Sequence, residues 1–540
     1  MTVGPWLATF TVVKLVAGID SSTQSTKVLL VNADDGAVVG AASAPHPDGT
    51  ECHPDRWWEA LTAAGRDLLD RAEAVGVAAQ QHGMVTVDDA GAVVRPAMLW
   101  NDVKSAPQAA ALVTEFGGPS EWAARTGSVP TMSFTVTKLR WLAEREPEHA
   151  ARVAAVMLPH DWLTWRLAGG GAGGSGGDPA IKPVTDRGDA SGTGYFSPVD
   201  SRWLPDYASR ALGHPVALPR VAAPGEIVGR TSWGAAISAG TGDNMGAALG
   251  MSLAEGDVAV SIGTSGTAYA VTSAMTADPS GLVSGFADAT GRFLPLVATL
   301  NAARVLGVTA RMLGVDTAGL SDLALKAEAG AGGLVLLPYL DGERTPNRPS
   351  ANGVLRGLTT SNATPENLAR AAVEAVLCSL ADAIDYLRLC GLAPSRVVLT
   401  GGAAKSEAVR TIAPAVFGLP VVVPEAAEYV ALGAARQAAW ALSGDAEPPS
   451  WPARPSVTLE ASAAPGVREQ YGALRDDAAA WQAPLSVSRA LSVCRWAGCG
   501  RPNGTRGTAG TDYEPPEDGT RVKTAAATRA SRPAKTNRPR

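Results

Sequence analysis

The stretch Ala239-Gly240-Thr241-Gly242-Asp243-Asn244-Met245-Gly246 sets one carboxylate among residues that keep the backbone thin. An exposed Asp in such a loop can accept the proton of an attacking hydroxyl, as the catalytic-loop carboxylate of protein kinases does. Gly-Asp-Asn is equally ordinary turn composition, so this segment alone leaves both readings open. Two other turns could cradle phosphate. One strand ends in Asp20 and runs into Ser21-Ser22-Thr23-Gln24-Ser25-Thr26; another, Val258 to Ile262, runs into Gly263-Thr264-Ser265-Gly266-Thr267. Each offers backbone N–H groups and hydroxyls without bulk, which phosphate oxygens need. A third turn, Gly401-Gly402-Ala403-Ala404-Lys405-Ser406, stands between the strand Val397–Thr400 and a helix from about Glu407 to Phe417. Strand, glycine pair and helix N-terminus let a nucleotide lie against backbone with no Cβ in the way. Singly, each turn is no more than a connection. The repeated strand–turn–strand hairpin is the stronger signal: it predicts two lobes facing each other across a cleft.

The elements that must position these turns alternate strand and helix, the mark of an α/β protein. Val12 to Ile19 reads as a buried strand and Thr26 to Val31 as a second, with Asp35-Gly36 turning into Ala37-Val38-Val39. A helix begins at the N-cap Thr364 with Pro365 in its first turn and stops at Gly391. Leu368, Val373, Val376, Leu377, Leu380, Ile384 and Leu387 recur at 3–4 residue spacing, which predicts one apolar face packed on a sheet. Residues 168–177 are nine-tenths Gly and Ala, lack a following Gly-Lys-Ser/Thr, and read as a flexible surface insertion. The segment from Leu485 to Arg540 holds eleven basic and four acidic residues and few aliphatics, which predicts a disordered tail.

Composition removes several function classes. The chain has 540 residues, enough for two or more domains, and a net charge of −6, unlike a strongly basic nucleic-acid binder. No apolar run reaches ~18 residues, so no membrane span is expected. The start lacks a basic n-region and cleavage site, which argues against a signal peptide. Cys52, Cys378, Cys390, Cys494 and Cys499 are odd in number and scattered, which fits a reducing, cytoplasmic setting.

Seven motifs occur in one order: Gly18-Ile19-Asp20, Gln80-Gln81-His82-Gly83, Arg95 to Asp102, Gly242-Asp243-Asn244, Ser261 to Gly266, Leu337 to Pro346 and Gly401-Gly402-Ala403. Together they resemble the FGGY carbohydrate kinases, over about residues 14–442, and most closely the members that phosphorylate xylulose. The resemblance implies an α/β fold of two actin-like ATPase (ribonuclease H-like) domains facing a central cleft. It implies a sugar-binding N-terminal domain at 14–249, a nucleotide-binding domain at 250–442, an extension at 443–484 and the tail at 485–540. It implies ATP-dependent phosphorylation of D-xylulose with Mg²⁺ and Asp243 as general base. By the same resemblance Asp20 and Asp243 face the metal, and Thr23, Gly263, Thr264, Ser265 and Gly266 hold phosphates. Gly401 and Gly402 would line the adenosine site, and Gln81, His82, Asp102 and Asn244 would meet the sugar. The partners implied are the ketose and ATP, with neither nucleic acid nor membrane; assembly as a homodimer is compatible.

Trp57, Trp58 and Trp100 could stack on sugar, but such residues are more often core. Asp341, Glu343 and Arg344 read as a network ordering a loop near the cleft. The sequence departs from the family pattern at Ser22, where glycine is usual, at Gly49 and at Gln81. Other ketose or polyol kinases, and a non-catalytic ATP-binding sugar sensor on the same fold, remain the alternative readings.

Overall fold

The computed structural model describes residues 13–172 and 177–481. The readings made for the start of the chain, for residues 173–176, for Cys494 and Cys499, and for the basic tail fall outside these residues. Within them, two sheets repeat one plan. In the first, β1 (Leu15–Ser21), β2 (Ser25–Asn32) and β3 (Val38–Pro45) form an antiparallel meander, and β4 (Ala74–Ala79) lies parallel to β1 on its other side. β5 (Ile227–Arg230) and β6 (Ala236–Ser238) extend the order to β5-β6-β4-β1-β2-β3. β1 and β4 are covered on both faces, which is why they read as near-continuous small and aliphatic residues.

The second sheet is built from β7 (Asp257–Ile262), β8 (Gly266–Ala270), β9 (Ser284–Ala287), β10 (Phe293–Thr299), β11 (Arg396–Thr400), β12 (Val421–Pro424) and β13 (Ser456–Leu459). Its order is β9-β10-β8-β7-β11-β12-β13. The central strand β7 again has an antiparallel hairpin partner, β8, on one side and a parallel partner, β11, on the other. The duplicated hairpins seen in the sequence are therefore the centres of two like sheets.

Six helices bear on the site: α1 (Thr135–Arg145), α2 (Pro159–Leu167), α3 (Asp243–Gly250), α4 (Pro365–Leu389), α5 (Glu407–Phe417) and α6 (Tyr429–Ser443). α4 starts as its caps predict, with the Thr364 hydroxyl accepting from the Asn367 N–H at 3.2 Å. Its apolar surface is wider than the single face predicted. From Ala369 to Ile384 all but Arg370 are buried, because α4 is covered by β8 and β10, by α5 and by flanking helices together. Its many Ala residues, which the periodicity count passed over, make that close approach practicable.

α6 comes late in the chain, yet it packs on the first sheet. Gly18 and Gly76 sit so near its backbone that an added Cβ would lie 1.9 Å from the Ala431 oxygen and 2.2 Å from that of Ala434. Ala431, Leu432, Ala435, Ala438 and Ala439 then pack on Val16, Leu29, Val31, Ala74 and Ala236. This helix also reaches the loop that leads to Asp243, where the Gln437 amide donates to the Gly240 carbonyl at 3.1 Å.

Candidate active site

The loop that carries Asp243 is tied to the first sheet. Beyond β6 the chain pairs again with β4, Thr241 against Ala78 and Gly242 against Ala79, and α3 opens at Asp243. β4 itself ends directly in Gln80, Gln81 and His82, so the two segments emerge side by side. The Asn244 amide spans them: Nδ2 donates to Asp243 Oδ1 at 2.8 Å and to Gln81 Oε1 at 3.2 Å. Asn244 N–H also donates to Asp243 Oδ1 at 2.8 Å, so both Asn244 donors engage Oδ1 rather than Oδ2. Burial pushes the Asp243 carboxyl up to about 6, against the Asn244 donors that favour the anion. Gln81 is buried, and its Nε2 has no partner. An unsatisfied buried donor costs roughly 1–3 kcal/mol, so this amide awaits an acceptor.

His82 has φ 67°, an uncommon conformation for a non-glycine residue. Its ring packs on Phe134 and Phe286, with centroids 4.9 and 5.7 Å away. Nδ1 lies 2.7 Å from the Gly192 carbonyl; a carbonyl only accepts, so Nδ1 carries the hydrogen and Nε2 is an acceptor. Burial, with help from Lys138 and Arg344, drives its pKa down to about 3, so the ring is neutral. The backbone oxygen of His82 accepts from Lys138 Nζ at 2.7 Å and from Thr135 Oγ1 at 3.2 Å, both on α1. Lys138 Nζ also donates to the Ser133 oxygen at 2.7 Å, and its pKa falls to about 7 through burial.

Asp20, at the end of β1, is the second acidic group. Oδ2 lies 3.9 Å from Lys27 Nζ, its cross-strand neighbour, and Oδ1 is buried with no partner. Lys27 in turn binds Glu428 at 2.5 Å. Burial raises the Asp20 carboxyl to about 7 despite Lys27, and repulsion from Asp243 and Glu428 adds to the rise. Two carboxylates that repel each other, one with an orphaned oxygen, form a donor set that fits a divalent cation.

Across the cleft the groups are thinner. β7 and β8 join through Gly263-Thr264-Ser265, and neither hydroxyl there has a hydrogen-bond partner among the described residues. β11 ends in Gly401 with φ 89°, where a Cβ would lie 2.7 Å from Ile262 backbone atoms. Gly402 faces open space. A cavity of about 1040 Å³ opens there, bounded by Gly401, Gly402, Lys405, Glu428 and Lys27. That is nucleotide-sized.

Two predicted residues are more engaged than their assigned roles need. Thr23 Oγ1 accepts from the Trp100 indole at 2.9 Å and contacts Gln80 Oε1 at 3.5 Å, tying the first turn to the segment after β4. Asp102 is buried and bound by Thr50 Oγ1 at 3.0 Å and the Lys104 N–H at 2.8 Å. Ser22 lies outside the left-handed region, as its replacement of glycine requires. Trp57 is core, edge-on to Trp162, and Trp58 stacks under Arg166. Glu343 orders its loop by accepting from Leu300 N–H at 2.5 Å and Asn301 Nδ2 at 3.0 Å, and Asp341 pairs with Arg304. Arg344 joins this loop through its backbone N–H, which donates to Glu343 Oε1 at 2.7 Å, and its charge is felt at His82 and Lys138.

The family model for the N-terminal domain of FGGY carbohydrate kinases matches residues 15–250, and that for the C-terminal domain matches 258–442. The chain belongs to the FGGY family of carbohydrate kinases. It is 46% identical to the xylulose kinase of Streptomyces coelicolor over 448 residues, which covers 80% of this chain and 89% of that protein. To the Escherichia coli xylulose kinase it is 34% identical over 414 residues, 72% of this chain and 82% of the relative. The crystal structure of xylulose kinase from Bifidobacterium adolescentis, 43% identical, covers 86% of this chain and 99% of its own, with a TM-score of 0.80. The two like sheets are thus the two actin-like lobes of an FGGY kinase, the fold class expected.

Sequence reasoning passed over several residues at this FGGY site. Lys138 is buried on α1 between Thr137 and Leu139, and nothing in its local spacing marks it out. His160, Asp161, Asp186 and Asp189 lie beneath the Asp243 loop, all buried. Three carboxylates and an imidazole in two segments that read as interior were the clue. No helix among the described residues is long and apolar enough to cross a membrane.

Proposed function

We propose that this FGGY kinase transfers the terminal phosphoryl group of ATP to the 5-hydroxyl of D-xylulose. The observation that carries the reading is the joint placement of Asp243, Asn244, Gln81 and His82 at adjoining strand ends, with a free carboxylate oxygen and an unsatisfied amide donor. The relatives named xylulose kinases support the choice of ketose. A 2-ketopentose closes its five-membered ring through the hydroxyl that is to be phosphorylated, so the reacting form is open-chain. Such a substrate presents a carbonyl and a row of hydroxyls. Gln81 Nε2 supplies a donor, His82 Nε2 an acceptor, and Asn244 keeps Gln81 and Asp243 aligned with each other.

Asp243 Oδ2 accepts the proton of the attacking hydroxyl as the oxygen–phosphorus bond forms. The nucleotide lies in the glycine-lined cavity, its phosphates toward the Gly263–Gly266 turn, with Gly401 and Gly402 at the adenosine. Thr23 holds the first turn in register through Trp100, and Asp102 stiffens the wall behind the sugar. Asp20 and Asp243 would hold Mg²⁺, which when bound neutralises phosphate charge. On this reading residues 14–249 carry the sugar half, 250–442 the nucleotide half, and 443–484 an extension. α6 belongs physically to the sugar half.

Coupled ADP release with Mg²⁺-ATP tests this across D-xylulose, D-ribulose, L-ribulose, L-xylulose, glycerol and gluconate. Preference for D-xylulose is expected. Turnover of another ketose keeps the mechanism and moves the specificity to Gly49 and Gln81. ATP binding with no turnover of any sugar makes the chain a sensor.

A further inference from the structure

Beneath the catalytic loop lies a buried polar cluster that the mechanism above does not use. His160, in the first turn of α2, is fully buried; Nδ1 is 2.6 Å from Asp189 Oδ2 and 3.3 Å from Asp161 Oδ1. Asp186 is also buried and binds the N–H groups of Gly188 at 2.9 Å and Asp189 at 2.8 Å. Charges withdrawn from water this completely cost several kcal/mol each unless paired, so an ordinary core would hold hydrocarbon here.

The segment 186–193 touches three functional parts. Asp186 Oδ2 accepts from Thr241 Oγ1 at 3.0 Å, two residues before the general base. Gly192 presents its carbonyl to His82 Nδ1 at 2.7 Å, which sets the tautomer of the sugar-facing ring. Arg187 Nη1 donates to the Arg292 oxygen at 2.6 Å and Ser191 Oγ accepts from the Ala287 N–H at 3.0 Å, both in the second sheet's β9–β10 hairpin. His160 holds the middle of this segment through Asp189. Its ring also lies against Gly240, where an added Cβ would come within 2.5 Å of Cδ2.

We propose that His160, through Asp189, is a positioning residue that sets the Asp243 loop and the His82 ring in one register. Both His160 and Asp189 are fully buried. The proposal rests on the sugar-kinase reading and adds that the general base and the sugar contact are not placed independently. Misplacing reacting groups by about 1 Å can cost roughly 100-fold, which is the scale expected here.

The test measures kcat, ketose KM, nucleotide Kd without sugar, and melting temperature for His160→Leu, His160→Asn and Thr241→Val. His160→Leu should lower ketose kcat/KM about 100-fold with nucleotide Kd changed less than about twofold. His160→Asn keeps a donor where Nδ1 stood and should recover most of that loss. Thr241→Val cuts only the loop branch, so kcat should fall with ketose KM unchanged; it keeps the test open if His160→Leu does not fold. The proposal is overturned if His160→Asn is as poor as His160→Leu, if nucleotide affinity falls in step, or if Thr241→Val raises ketose KM alone. A wild type that turns over no sugar would instead defeat the kinase reading. Ketose Kd for the His160 pair would then decide the proposal, a loss in Leu recovered in Asn supporting it.

Discussion

The same two topological positions occur in both sheets and carry opposite kinds of residue, and on the proposed function they serve opposite uses. After the strand parallel to the central one, the first sheet presents Gln80-Gln81-His82 and the second presents Gly401-Gly402. At the central hairpin, the first sheet ties its turn down through Thr23 to Trp100 and Gln80, whereas the second leaves the Thr264 and Ser265 hydroxyls without a partner among the described residues. One side is rich in fixed side chains and the other is stripped to backbone. A sugar is told apart by where its hydroxyls lie, which demands preset donors and acceptors. A nucleotide's phosphates are read by backbone N–H groups, which side chains would only obstruct. Fold supplies the positions, and local composition assigns the task.

The comparison can be sharpened by adding bulk where the second sheet has none. Gly402→Val introduces a side chain at the cavity wall, where its Cβ would meet no atom within 4 Å. ATP KM should rise about 10–100-fold, the range for 1–3 kcal/mol of overpacking, while melting temperature and ketose affinity hold. A matching rise in ketose KM would mean the two sides are not divided as described.

The acid limb of the pH profile belongs to the first sheet. Asp243, with its carboxyl raised to about 6 by burial, must be ionised to accept a proton. kcat/KM should therefore be flat above that pH and fall below it by about tenfold per unit. A profile with no acid limb down to pH 5 would remove Asp243 from the base role.

Smaller effects separate the sides further. His82→Asn keeps a residue that tolerates the left-handed backbone but withdraws the ring. Ketose KM should rise about tenfold, as for one lost hydrogen bond that leaves a polar group unmatched, with ATP KM unmoved. Thr264→Ala should change ATP KM by less than about threefold, since backbone does most of the holding. A larger loss would show that the hydroxyl, not the turn, binds phosphate.

Much of this division was readable in the sequence because it rests on local pattern. Asp20, Gly263 and Gly401 each follow an aliphatic strand, and both lobes were recognised from the repeated hairpin. The helix α5 was read to its observed limits, since Ser406 caps it and Gly418 ends it. What pattern could not carry was pairing at long range. That Lys138 supports the His82 backbone depends on a pairing 56 positions apart in the chain. The bond of Asp186 to Thr241 crosses 55. α6 could not be assigned to the first sheet from sequence position, because what places it there is glycine at Gly18 and Gly76, far upstream. The bond from the Trp100 indole to the Thr23 hydroxyl is another such pairing that local pattern could not show.

Replacing Asp243, the proposed general base, tests the central claim most directly. Asp243→Asn retains the size of the side chain and can still hydrogen-bond, but it cannot take a proton. The account predicts that kcat falls by about 10²–10⁴-fold while the ketose Kd, measured by calorimetry, stays within a few-fold and the acid limb disappears from any residual rate. Turnover within tenfold of the unaltered enzyme, or lost ketose binding with kcat preserved, would contradict it.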